Sequence, residues 1–238
     1  MGLDVYVGGL ARYFLREWSL EMEHFVSEGH LPEDMHAIEI KTGDRSFSPA
    51  NWSEAIDGVN RWRRTLAKDF AKEEFLDWAE GQEAPWFTRK ITWECYSALI
   101  LWAAHEDNPG LPMPSIVPDD LEDSALYLSL ADIKASRYPH LLDSTMVWLP
   151  VKDGRTFRAL DPGGFKRDFG FIIPLAAELM DLNERTWVAS EEEIGAWWDA
   201  GPPDHKSPLE DCAKFGFSVL RVLVGVAHTN NLPMLLDF

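Results

Sequence analysis

The feature that most constrains the fold is a segment, residues 88–106, that has almost no polar face. Large apolar side chains fall on every side of its helical wheel: Ile91, Trp93, Cys95, Tyr96, Leu99, Ile100 and Trp102. A helix that is apolar all round is buried between other elements of a fold. Its longest apolar run, 98–104, is far shorter than the roughly 20 residues of a membrane span. The segment therefore predicts a central core helix and no membrane partner.

Strand patterns occur near both ends of the chain. Residues 3–7 alternate between apolar side chains on one side and Asp4 and Tyr6 on the other, which predicts a strand with one buried face. A short second strand is predicted at 36–40. Residues 235–238 predict a final strand, beside either the first strand or the strands of the second half.

The strongest β signal lies in the second half of the chain. Three segments there have strand periodicity: 145–152, 155–160 and 165–171. Asp153-Gly154 predicts a hairpin turn between the first two, and Pro150 predicts that the first strand lies at a sheet edge. Residues 161–164 place Pro162 and Gly163 where a type II turn requires them. We therefore expect a three-stranded antiparallel meander over 145–171.

Helices are predicted for most of the remaining chain. Apolar periodicity or caps mark the segments 12–27, 48–68, 70–81, 119–136, 174–183, 190–198 and 207–228. Ser190 with Glu193 and Ser207 with Glu210 match capping boxes. Residues 107–118, rich in Pro and Gly, predict an irregular connection. The whole pattern favours one α+β domain over 1–238, largely helical with a small antiparallel sheet.

The charge of the chain restricts its partners. Forty acidic residues against 22 basic ones give a net charge of −18. Such a surface repels nucleic acid and anionic lipid and attracts basic proteins. The alternative is that the charge only keeps the protein soluble. Eleven tryptophans are an unusually large number, and tryptophan is common both in cores and at interfaces.

The standard catalytic and metal signatures are missing from the sequence. It contains no G-x-S-x-G elbow, phosphate loop or G-x-G-x-x-G fingerprint after a strand. His24, His30 and His36 are spaced by six, which suits no ligand pair, so neither metal nor cofactor is predicted. The two cysteines are expected to be buried thiols rather than a disulfide. The start of the sequence lacks signal-peptide features, which favours a cytoplasmic location.

One group of polar residues is a candidate site. Asp4 interrupts an apolar strand and needs a partner if its face is covered, and Arg12 is the nearest candidate. The other members of this candidate site lie in or just after the first strand, or elsewhere in the chain: Tyr6, Tyr13, Arg137, Tyr138, His228 and Asp237. Two interpretations remain: a structural Asp–Arg pair, or a binding or catalytic site with His228 as base.

The opening Met1-Gly2-Leu3-Asp4-Val5-Tyr6-Val7-Gly8, followed by Arg12-Tyr13, resembles that of a group of bacterial cytosolic proteins. The similarity extends through SRYPHLL at 136–142, WLP at 148–150, LNERTW at 182–187 and LPMLLD at 232–237. Phe14 follows Tyr13 where the group would have Tyr. The resemblance covers nearly the whole chain but implies no activity, cofactor or catalytic residue.

Two functions follow as hypotheses. The first is an acidic cytosolic binding protein that neutralises or regulates a basic protein, as immunity proteins against bacterial toxins do. The charge, the tryptophans and the missing catalytic motifs favour it. The alternative is a hydrolase or transferase that uses the candidate polar residues near the N-terminal strand, which requires those side chains to converge in one pocket.

Overall fold

The computed structural model describes residues 3–18, 49–70, 77–130, 136–152, 154–204 and 206–237. The strands are β1 (Leu3–Val7), β2 (Phe87–Ile91), β3 (Val147–Leu149), β4 (Phe157–Leu160), β5 (Lys166–Phe171) and β6 (Met234–Asp237). The helices are α1 (Leu10–Leu15), α2 (Trp52–Phe70), α3 (Trp93–Asp107), α4 (Ala125–Ser129), α5 (Pro139–Leu142), α6 (Ile172–Arg185), α7 (Glu191–Ala200) and α8 (Leu209–Asn230), with a 3-10 turn at Leu121–Asp123. The α+β class is confirmed.

The six strands form one mixed sheet in the order β2-β1-β6-β3-β5-β4. All neighbouring pairs are antiparallel except β3 and β5, which are parallel. The predicted meander over 145–171 is therefore wrong: β4 pairs with β5 but not with β3. The final strand is confirmed, and it lies between β1 and β3, pairing with both.

The connection after β3 explains why the meander does not form. β3 ends at Leu149, and the Val151 N–H donates to the Leu149 carbonyl at 2.8 Å, which turns the chain out of the ladder. Gly154 then passes against the last residue of β5: a Cβ there would lie 2.1 Å from the Phe171 ring. The glycine thus permits a close crossing rather than a hairpin. Pro150 lies just beyond an interior strand, so the predicted edge position is also wrong.

The turn between β4 and β5 forms where it was predicted but with another geometry. The Gly164 N–H donates to the Asp161 carbonyl at 2.9 Å, and the Asp161 N–H donates to the Phe165 carbonyl at 2.8 Å. The positive φ, 82°, is at Gly164 rather than at Gly163. A type II turn needs it at Gly163, whereas a three-residue hairpin loop places a left-handed residue one position later.

Helices cover both faces of the sheet. Leu3, Val5 and Val7 pack in a core with residues of α3, α6, α7 and α8. Tyr6, on the opposite face of β1, packs with α1 and α2 and is fully buried. The prediction of one buried face for β1 is therefore wrong, because a second helical layer covers the other face.

The apolar segment 88–106 divides between two elements. Its first residues form the edge strand β2, which pairs with β1, and Thr92 then caps α3 by accepting a hydrogen bond from the Cys95 N–H at 3.1 Å. Both Cys95 and Cys212 are buried free thiols, as predicted, and burial raises the pKa of Cys95 to about 12. The core helix is thus confirmed from Trp93 onward.

Helix α8 packs along α3 in the core. It is long and apolar enough to span a membrane by length and composition, but 61% of its most apolar window is buried inside the fold. Ser207 does not cap it, since Pro208 occupies the N-cap position and no side-chain cap bond forms. The predicted Ser207–Glu210 capping box is therefore wrong, although the helix itself is confirmed.

Several predicted segments are shortened or lie outside the described residues. α1 ends at Leu15, with Arg16 in a left-handed conformation. Residues 16–18 of the predicted helix 12–27 form a turn instead. The remainder of that helix, the strand 36–40 and the three evenly spaced histidines fall within 19–48, outside the described residues. Between Asp107 and Leu121 no helix or strand forms, as predicted.

A capping box formed by Ser190 and Glu193 stabilises the N-terminus of α7. Ser190 accepts from the Glu193 N–H at 3.3 Å, and the Glu193 carboxylate accepts from the Ser190 N–H at 2.8 Å, which confirms that capping box. We expect Ser190→Ala to cost about 1 kcal/mol of unfolding free energy in urea denaturation. The Ser190 N–H and the Ser190 hydroxyl, which both donate to the Glu193 carboxylate, lower the pKa of Glu193. The stabilisation by the carboxylate is therefore complete above the ordinary glutamate pKa and is lost as the pH falls through the lowered one. An unchanged midpoint in the variant would contradict the assignment.

Candidate binding cleft

The predicted polar residues come together only in part. The Tyr13 hydroxyl donates to Asp237 Oδ1 at 2.6 Å, joining α1 to the end of β6. Asp4 lies opposite Asp237 on one neighbouring strand and opposite Lys90 on the other. Tyr6, on the same face as Asp4, donates its hydroxyl to the Gly9 carbonyl at 2.9 Å. Burial raises the pKa of Tyr6, so this hydroxyl stays protonated.

Arg12 does not serve as the partner that was predicted for Asp4. Its guanidinium donates to the carbonyl oxygens of Glu17, at 3.3 Å, and of Gln82. It also lies over the rings of Trp52 and Trp86, at 5.1 and 5.6 Å. The reason is that α1 turns Arg12 towards α2 and the loop before β2. Arg12 therefore fastens these segments together.

Arg137 and Tyr138 belong to another polar group. The Tyr138 hydroxyl donates to Asp181 at 3.0 Å, and Arg137 Nε lies 4.0 Å from Asp107 Oδ1. Tyr138 packs in the core on the α3 and α8 face of the sheet. These contacts join α5, α6 and the end of α3, across the sheet from Tyr6 and Tyr13.

His228 is exposed in the last turn of α8. That helix packs on the sheet face opposite Tyr6, and β6 begins only six residues later, with Asp237 at its far end. The eight candidate residues thus lie on both faces of the sheet and in three separate places. Nothing in this arrangement brings His228 to the Tyr13–Asp237 pair as a base.

Two buried carboxyl groups fasten short helices. Glu80 accepts from Arg63 at 2.9 Å and from the Ala11 N–H in the first turn of α1 at 2.7 Å. Glu178 accepts from His140 Nδ1 at 2.7 Å and from the backbone N–H groups at the start of α5 at 3.0 Å. Burial raises the pKa of both carboxyl groups. Since the oxygens of each carboxyl group accept from helix N–H groups, we assign both groups a structural role.

A cleft of about 730 Å3 lies between α3, the 3-10 turn, α4 and the end of α5. Its volume lies within the roughly 300–1,000 Å3 range of ligand sites. The apolar part of the lining includes residues from the sheet as well as from the helices: Ile100, Leu121, Leu128, Leu130, Leu142, Met146 and Leu236. The cleft can therefore hold an apolar group of considerable size.

One face of α3 forms a wall of this cleft. Trp93, Tyr96, Ser97 and Ile100 recur at the i, i+3, i+4 and i+7 spacing of a helix face. Of the eleven tryptophans, three are buried, seven are half-buried, and Trp93 is exposed, at 41%. The expected burial of this helix therefore fails at Trp93 alone among these four residues, since Ser97 and Ile100 are each only 7% exposed and Tyr96 is half-buried.

Two hydroxyl groups on this wall are free to bind. Ser97 is only 7% exposed, yet no hydrogen bond joins its hydroxyl, or that of Tyr96, to another described residue. Burial raises the pKa of Tyr96, which keeps its hydroxyl protonated. Both hydroxyl oxygens retain some exposure to solvent, so they can exchange hydrogen bonds with a molecule bound in the cleft.

The charged residues in the described lining of the cleft have one sign. Glu122 and Asp143 line it from two different elements, and no Lys or Arg occurs among the described lining residues. Asp119, Asp120 and Asp123 are exposed on either side of Glu122. The carboxylates and apolar floor together suit a ligand that is both cationic and apolar.

Sequence reasoning missed the cleft because its lining comes from distant segments. The acids at 119–123 were visible as part of an acidic helix, and Trp93 as part of a core helix. Their proximity depends on how α4 and the 3-10 turn fold back onto α3. Ser144, also in the lining, has a positive φ of 48°, which no local signal indicates.

Metal chemistry has no visible basis in the part of the chain that the structure describes, since no three His, Cys, Asp or Glu side chains converge there. Comparisons with known proteins add no relative: no family model, no curated protein and no solved structure matches this chain.

Proposed function

We propose that this protein is an acidic binding protein that takes up a basic protein partner in the cleft beside α3. The observation that carries the proposal is the cleft itself, with an exposed Trp93, two carboxylates and no cation among its described lining residues. A cytosolic protein that neutralises or regulates a basic protein needs such a surface.

The physical argument has two parts. A net charge of −18 steers a basic partner towards the surface and accelerates encounter, more strongly at low salt. Affinity then comes from a few large apolar side chains that lose contact with water, among which tryptophan is prominent. The cleft meets both requirements, because Trp93 lines it together with Glu122 and Asp143.

The proposal predicts a salt-sensitive partner whose retention depends on the cleft. We expect immobilised protein to retain a basic protein from native host lysate at about 0.05 M salt and to lose most of it at about 0.5 M, where screening is stronger. The variant Trp93→Ala/Glu122→Gln should retain at least about tenfold less, which corresponds to about 1.4 kcal/mol.

A matched control separates the cleft from general surface properties. Met180→Ala/Glu184→Gln removes one exposed apolar side chain and one exposed charge from α6, away from the cleft. It changes the net charge by the same amount and should retain the partner as the wild type does. Equal retention by both variants, or a retained protein that is acidic, would refute the proposal.

A further inference from the structure

We infer that the cleft takes a short peptide segment in which apolar side chains are flanked by Lys or Arg. This inference rests on the proposed function and specifies which part of a basic partner enters the cleft. It follows from three properties of the lining: its apolar floor, its carboxylates and its free hydroxyl groups.

The apolar floor requires apolar side chains in the segment. Leu142, Met146 and Leu236 lie in the lining, and Trp93 and Leu128 stand at its exposed part, 41% and 60% exposed. A purely charged segment would leave this surface in contact with water. Removing apolar area from water is favourable in proportion to the area buried, so the segment gains by placing apolar side chains there.

The carboxylates require cations beside the apolar part. Glu122 is exposed on the 3-10 turn, and Asp143 is half-buried beyond α5, where it also accepts from the Thr156 hydroxyl at 2.5 Å. The two acids therefore come from separate elements that line the cleft. An anionic segment would meet like charge on both elements and no compensating cation among the described lining residues.

The free hydroxyl groups favour a peptide over a simple apolar amine. Tyr96 and Ser97 are consecutive along α3 and both line the cleft without hydrogen bonds to described residues. A peptide backbone presents N–H and C=O groups that lose their hydration when the segment enters. The two hydroxyl groups replace part of that hydration, which a small amine does not require.

The test uses capped synthetic peptides with the purified full-length protein. Lys-Leu-Trp-Leu-Lys is compared with Glu-Leu-Trp-Leu-Glu, which keeps the apolar part, and with Lys-Ser-Gly-Ser-Lys, which keeps the charge. Isothermal titration calorimetry should show the first peptide binding at least about tenfold more tightly than either other peptide. Trp93→Ala should weaken it by a similar factor, and Met180→Ala should leave it unchanged.

The outcomes distinguish this inference from the proposed function. Equal binding of the Glu-flanked or the Ser-Gly-Ser peptide, or equal binding by Trp93→Ala, overturns the inference. Tryptamine binding as tightly as the first peptide overturns it too, because the occupant would then be a small amine. If the lysate partner is captured through the cleft but no peptide binds, the inference fails and the proposed function survives. If the first peptide binds selectively and no basic protein is captured, the proposed function fails instead.

Discussion

Replacing Gly216 with alanine should destabilise the protein by about 2–3 kcal/mol, as expected for overpacking at a closed helix contact. A Cβ at this position of α8 would lie 2.4 Å from the carbonyl oxygen of Cys95 in α3. The obstacle is backbone, which cannot rotate away as a side chain can. The two helices must therefore separate, and the core on that face of the sheet loosens with them.

Urea denaturation of Gly216→Ala measures this loss directly. Gly195→Ala is the matched control, because Gly195 lies inside α7 and a Cβ there meets nothing within 4 Å. That control should gain up to about 1 kcal/mol, since alanine is the better helix former. The opposite signs of the two substitutions are the test. A stabilising Gly216→Ala would show that the helices are not in contact at this point.

Glu80→Ala should cost about 3–5 kcal/mol, the typical loss when one partner of a buried ion pair is removed. Glu80 is 6% exposed and accepts from Arg63, from the Trp78 indole at 2.5 Å and from the Ala11 N–H. Its removal leaves a charge, an indole N–H and a helix N–H unsatisfied together. It also releases the loop before β2 from α1.

Thermal unfolding and urea denaturation of Glu80→Ala measure the effect. Glu83→Ala, in the same loop but exposed, should change stability by no more than about 0.5 kcal/mol. Glu80→Gln keeps the shape and one acceptor oxygen, so we expect an intermediate loss. A small effect of Glu80→Ala would mean that Arg63 finds another partner and that the pair does not hold this loop.

The glycines near the N-terminus illustrate a tertiary constraint that local patterns do not show. Gly8 and Gly9 directly follow β1, where glycine commonly ends a strand. In the structure a Cβ at Gly9 would lie 2.8 Å from Glu80 Oε2 and 2.9 Å from the Ala79 carbonyl. The position is small because a segment seventy residues later packs against it, and the sequence around Gly9 carries no trace of that contact.

Local patterns determined β1, the region of α2, the core helix from Trp93, the α7 capping box and the long α8, because caps and periodicity act within a few residues. The composition also showed a net charge of −18, which favours basic partners. Tertiary structure alone decided that β3 pairs parallel with β5, since the chain turns out of the ladder after Leu149 and Gly154 crosses against Phe171.

Tertiary structure likewise separated the polar residues that the sequence grouped together. Arg12 and Asp4 are close in sequence, but alternation along a strand and rotation around a helix send their side chains to different neighbours. The cleft required the 3-10 turn and α4 to fold onto one face of α3. The sequence thus determined that the segment 88–106 is apolar and largely buried, and only the packing around it decided that Trp93 stays exposed at the cleft while Ser97 is buried.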